Sequence, residues 1–116
     1  MKNHKNKVQL IGSFLNPQFI TQENGFKFVK FIIITPESYL SQDGIKSKDE
    51  MYHVCYAFGK HMEIIEHFAN EGIQMAIEGS LINRNLLIGH QESVETGIHV
   101  SDLLLLNNHN KSINGI

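Results

Sequence analysis

The chain reads as a series of short apolar runs, rich in β-branched and aromatic residues and cut by turn formers; helical spacing appears once. Val8–Gly12 is a first short strand, and Asn16-Pro17 punctuates the segment after it. Asn24-Gly25 is a strong turn pair, so a hairpin across it joins an earlier extended segment to the next strand. That next strand is Phe26–Thr35, ended by Pro36, which has no N–H to give a ladder. Residues 36–50 are polar around Asp43-Gly44 and predict a long loop or a flexible hairpin tip. In Tyr52–Phe58, strand alternation puts Tyr52, Val54, Tyr56 and Phe58 on one face and His53, Cys55 and Ala57 on the other.

The period changes over Lys60–Asn70, where Met62, Ile65, Phe68 and Ala69 share a helical face and Gly72 is placed to close the helix. Ile73–Ile82 is a strand again, with Gly79 marking a bulge or a close backbone approach. Gly89 and Gly97 bracket a second variable loop, and His99–Leu106 is the last strand. Three strands, one helix and two strands is the element order of the OB-fold, a five-stranded Greek-key barrel with its helix between strands 3 and 4. A single domain is expected over residues 1–106, with a flexible polar tail over 107–116.

Composition narrows the chemistry. The 116 residues suit one compact domain, and the longest apolar runs, Phe31–Ile34 and Leu103–Leu106, are too short to span a membrane. The basic N-terminus lacks the apolar stretch of a signal peptide, and the lone Cys55 has no partner for an internal disulfide, so a cytoplasmic protein is expected. A net charge of −2 argues mildly against a nucleic-acid partner, although a positive groove can sit on an acidic body. No catalytic arrangement is recognisable, and an enzyme is not expected. His61 and His67 are too far apart on the helix to share a face, so neither a metal nor another cofactor is expected.

Taken in order, these segments resemble the bacterial single-stranded DNA-binding protein family across about residues 6–106. Asn6-Lys7-Val8 with Leu10 and Gly12 is similar to its opening strand, and Thr35-Pro36-Glu37-Ser38-Tyr39 to its T-x-E-S-W segment. Tyr52-His53-Val54 stands for W-H-R, and Phe58-Gly59-Lys60 for F-G-K. Glu63-Ile64-Ile65 and then Gly72-Ile73-Gln74 continue the match, and Ile77–Arg84 resembles I-E-G-x-L-R-T-R.

The resemblance implies sequence-independent binding of single-stranded DNA in replication, recombination or repair. Such binding stacks bases on aromatic rings and tracks phosphates with cations. It places Tyr39, Tyr52 and Phe58 at stacking positions and Lys7, Lys60 and Arg84 at basic ones. From the residues alone, Phe58 is equally a core residue and Tyr39 an exposed loop aromatic. Tyr56 either extends the stacking face or packs against a second subunit. Phe26, Phe28 and Phe31 are read as core.

Four positions depart from the family pattern. Val54 and Ile82 stand where arginine is common, Leu86 where tryptophan is frequent, and Glu71 where lysine is common. Each lost phosphate contact shallows the log–log salt dependence by roughly 0.7 for a single strand. Lys27, Lys30, Lys46 and Lys48 are the cations available to compensate. The family's acidic-tipped tail has no counterpart in Asn107–Ile116. A homo-oligomer is implied, a tetramer before a dimer, with replication proteins as further partners. The alternative is an OB-fold primosomal or replication accessory protein acting mainly through protein contacts.

Overall fold

The computed structural model describes residues 4–40, 44 and 46–106, and side chains within that set except those of 38–40 and 46–48. The polar tail over 107–116 and the tip of the 36–50 segment lie outside it. Five strands and one helix run in the order β1 (Val8–Thr21), β2 (Lys27–Leu40), β3 (Lys46–Phe58), α1 (Gly59–Phe68), β4 (Gln74–Ile88) and β5 (Gln91–Leu106). The strands close into a barrel in the order β1-β2-β3-β5-β4. All pairings are antiparallel except β3 with β5, which run parallel at Cys55↔Ile98 and Tyr56↔His99. This is the expected OB-fold, with its helix between the third and fourth strands.

Inward alternation fills the barrel. Phe14, Val29, Phe31, Ile33, Cys55, Ala57, Met75, Ile77, Ile98 and Val100 form one buried cluster. Helix α1 adds Ile65 to that cluster, with Met62 and Ala69 packed against it. Phe68, expected on the same face, is instead largely exposed. The helix ends at Ala69 in an extended conformation, so Gly72 is not its closing residue. Gly72 takes its positive φ in the turn beyond the helix and donates its N–H to the Phe14 carbonyl.

Three expected breaks are absent. Asn16-Pro17 does not end β1 but sits in a register shift between Leu15 and Gln18. Asn16 adopts φ 56° there, a conformation asparagine tolerates, and its N–H donates to the Glu71 carboxylate at 3.1 Å. Pro36 does not end β2, which pairs on with β3 as far as Leu40↔Lys46. At Pro36 the strand has lost its β1 neighbour, whose last partner is Ile34, so a missing donor is tolerated on the open side. The segment between Gly89 and Gly97 is not a loop. Residues Gly89-His90 make a tight turn between Ile88 and Gln91, and β4 and β5 form one long hairpin.

At Gly79 the β4–β5 register shifts, as its sequence position suggested. A Cβ at Gly79 would stand 2.1 Å from the His99 carbonyl oxygen, so the two strands meet this closely only without a side chain.

Candidate nucleic-acid interface

Residues that alternate outward from β2, β3, β5 and β4 build a second layer on the barrel surface. Register aligns Phe28 with Phe58, Lys30 with Tyr56, Tyr56 with His99, Ile82 with Gly97 and Arg84 with Glu95. The β1–β2 turn delivers Phe26 to the same layer. There Gln22 N–H donates to the Phe26 carbonyl and Phe26 N–H to the Asn24 side-chain oxygen.

The rings interlock. Phe26 lies 5.2 Å from Phe58, Phe28 5.8 Å from Phe58 and 6.0 Å from Tyr56, while His99 meets Phe58 edge-on at 5.1 Å. Phe26, Phe58, Ile82 and His99 line a shallow apolar groove, and Arg84 and Gln22 flank a second hollow beside Phe26, Phe28, Tyr56 and Phe58. Phe26 is 45% exposed and Phe58 half-buried, so both offer ring surface to a ligand.

Beneath the groove lies a polar knot. Tyr56 donates its hydroxyl to one Glu95 carboxylate oxygen, and Lys30 Nζ lies 3.2 Å from the other. The Arg84 guanidinium sits 5.2 Å above the Phe28 ring and 5.1 Å above Tyr56, at cation–π distance from both. The Tyr56 ring packs this closely on β5 only because residue 97 is glycine: a Cβ there would come within 2.5 Å of Tyr56 Cε2. The hydrogen bond from Tyr56, aided by Lys30 and Arg84, holds the Glu95 carboxyl below its usual range against the opposing effect of burial. Burial, with the Glu95 hydrogen bond, pushes the Tyr56 phenol up, partly offset by Arg84.

The residues singled out from sequence separate into groups. Phe58 is at the centre of the groove, and Lys60 stands exposed one residue into α1 beyond it. Tyr52 is 63% exposed on the same strand face, about 20 Å along β3 from Phe58 at the usual strand rise. Its hydroxyl donates to Glu50 at 3.1 Å, and that bond and the Glu50 charge raise its pKa. Tyr39 lies in β2 opposite Ser47, and its side chain is outside the described residues, as are those of Lys46 and Lys48.

Two readings are corrected. Tyr56 presents no stacking face, being 1% exposed under Arg84, and it supports the layer from below. Phe26 is not core but part of the groove wall, whereas Phe28 is buried as expected, packed under Phe58 and beside Tyr56. Among the basic positions, Arg84 is drawn onto two rings, and Lys7 is paired with Glu78 at 2.9 Å. Sequence reading missed Phe26, His99 and Glu95. The Asn24-Gly25 turn was the one available signal for Phe26, because it fixes which neighbour of the turn points outward.

Among the described residues, no three His, Cys, Asp or Glu side chains gather as a metal site, and no helix is long and apolar enough to cross a membrane.

Comparisons with known proteins bear on the fold and the family. The chain is 32% identical over 82 residues to single-stranded DNA-binding protein 1 of Xylella fastidiosa, covering 69% of this chain and 60% of that protein's length. It is 25% identical to the single-stranded DNA-binding protein of Staphylococcus epidermidis, covering 92% of this chain and 80% of that one. A Plasmodium falciparum SSB complex with ssDNA superposes with a TM-score of 0.80 at 22% identity, covering 92% of this chain and 99% of the other. The small single-stranded DNA-binding protein from Streptomyces coelicolor gives 0.64 at 14% identity, covering 87% and 94%. These likenesses below 25% identity bear on the fold. Residues 5–106 match the Single-strand binding protein family, whose members are not enzymes, and the chain belongs to that family.

Proposed function

We propose that this chain binds single-stranded DNA without sequence preference, by stacking bases on the outer aromatic layer and contacting phosphates from its rim. The observation that carries the reading is the groove of Phe26, Phe58, Ile82 and His99 with Arg84 beside it: accessible ring faces next to a cation. Such rings favour unpaired bases, since a base inside a duplex has both faces occupied. Tyr52 extends the path along β3 away from Phe58, and Tyr39 is assigned to stacking by its motif position alone. Lys60 supplies an exposed charge near its start, and Lys7 and Arg84 are further basic positions on the barrel surface.

The process served is replication, recombination or repair in the cytoplasm, with the chain acting as a homo-oligomer, a tetramer before a dimer. Support for self-association comes from Ile11, Ala76 and Leu104, which are in register across β1, β4 and β5. Ile11 and Leu104 are each more than 60% exposed, leaving an apolar strip open to a second copy. Titration of a fluorescently labelled oligo-dT, followed by anisotropy at low salt, tests the binding. Saturable binding is expected, and replacing Phe26, Tyr52 and Phe58 together by alanine should abolish it while the circular dichroism spectrum is kept.

A second reading, an accessory module for replication or primosome proteins, is favoured by the engagement of Lys7 and Lys30 in ion pairs, which leaves less charge for phosphates. Capture of a replication protein together with no oligo-dT binding at low salt would select it.

A further inference from the structure

We propose that Glu95 is a specificity-determining residue: an internal counter-charge that makes this face select unpaired bases over phosphates. The proposal rests on the single-strand reading above. An acidic side chain beside a DNA-binding groove opposes phosphate approach, yet Glu95 is not free at the surface but held by two partners. One of its oxygens accepts from Tyr56 and the other pairs with Lys30 at 3.2 Å. Its register partner across β4–β5 is Arg84, whose guanidinium already lies over Phe28 and Tyr56. One carboxylate thus answers one cation directly and a second across the ladder. Side-chain exposures of 28% for Lys30 and 24% for Glu95 mean that water screens the pair incompletely.

A phosphate seeking Lys30 or Arg84 must therefore compete with a fixed anion or leave that anion unpaired, which is costly in a half-buried site. A neutral base entering the groove of Phe26 and Phe58 meets neither cost. A duplex offers phosphates but no free faces, so the same carboxylate discriminates against it.

The test uses Glu95→Gln, which keeps an oxygen for the Tyr56 hydroxyl and removes the charge. Binding of labelled oligo-dT and of a labelled duplex is measured across a salt series. Oligo-dT affinity should rise several-fold at low salt, and the salt slope should steepen by roughly 0.7 for each additional phosphate neutralised. Duplex affinity should rise by a larger factor, so the single-strand to duplex ratio falls. Lys30→Met, the opposite perturbation, should weaken binding and raise that ratio, and it carries the test if Glu95→Gln does not fold. Combining both substitutions should return slope and ratio to those of the parent. Glu63→Gln, the same charge change on the exposed face of α1, should alter the ratio less.

The proposal is overturned if the parent protein binds oligo-dT but neither variant moves the ratio, or if Glu95→Gln does no more than Glu63→Gln. Absence of oligo-dT binding by every protein at low salt overturns the proposal and the single-strand reading together.

Discussion

Gly97→Ala is the smallest change that should disturb the whole outer layer. The new Cβ would lie 2.5 Å from Tyr56 Cε2 and 3.1 Å from Cδ2, where ordinary contact is 3.4–4 Å. The ring must therefore move by about 1 Å, the difference between that approach and the normal packing distance. It has little room, being 1% exposed, with Arg84 above it and Val54 O already 3.3 Å from the new methyl. Overpacking of this kind costs about 1–3 kcal/mol. Tilting the ring also weakens its hydrogen bond to ionised Glu95, a class of bond contributing about 1.5–3 kcal/mol. Since a partial shift loses only part of that, a total of about 2–4 kcal/mol is expected. Urea unfolding monitored by circular dichroism measures it, the midpoint falling with an unchanged slope. Adding Tyr56→Leu should recover part of the loss, because the two sites share one contact. Gly79→Ala, whose Cβ meets a backbone oxygen at 2.1 Å, should have no comparable side-chain rescue. A Gly97→Ala protein with the parent midpoint would refute the packing of Tyr56 over β5.

The same geometry sets other outcomes. Phe26→Ala, at a 45% exposed ring, should lower the unfolding midpoint only modestly yet weaken oligo-dT binding, and Phe58→Ala should weaken it too. A stacked base contributes about 1–3 kcal/mol, which is roughly a 5- to 150-fold loss of affinity for each ring. Tyr56→Phe should do the reverse, costing about 1–3 kcal/mol of stability by removing a donor from Glu95 while sparing the stacking faces. Burial pushes the Cys55 thiol up to about 12, so a thiol reagent at pH 8 should label it only on unfolding. The unfolded chain loses that proton near pH 9, while the folded one keeps it to about pH 12. Between these values the folded state binds more protons, so stability should fall as pH rises, by up to about 1.4 kcal/mol per pH unit from this group. An alkaline urea series comparing the parent with Cys55→Ala checks it.

The barrel was legible because its strands carry an alternating apolar set that faces inward. Val29, Phe31 and Ile33 against Cys55 and Ala57 are an example. Local breakers misled where a distant residue compensates. Asn16-Pro17 reads as a stop, yet Glu71, far away in sequence, accepts the bulge N–H. Glu71 is one of the departures from the family pattern, and its place at the bulge gives it a structural part there. Pro36 reads as a strand end, yet its missing donor falls where β2 has already lost one neighbour.

The outer layer was half legible. Phe58 and Arg84 came from motif positions, but alternation alone put Tyr56 beside Phe58 as though equally exposed. Burial of Tyr56 depends on Gly97, Glu95 and Arg84, brought over it by the β3–β5 and β4–β5 pairings. Ile82, another departure, lines the groove, so an apolar wall stands where arginine is common in the family pattern.

Site-resolved crosslinking tests the central claim most directly. Ultraviolet irradiation of the protein with an oligonucleotide carrying 5-bromodeoxyuridine, and then peptide mass spectrometry, identifies residues in contact with bases. Crosslinks at Phe26, Phe58, His99 and Tyr52 are predicted, competed by unlabelled oligo-dT and not by duplex. Crosslinks confined to the Ile11–Leu104 strip, or competed equally by duplex, would contradict the assignment of the aromatic layer as the base-binding face.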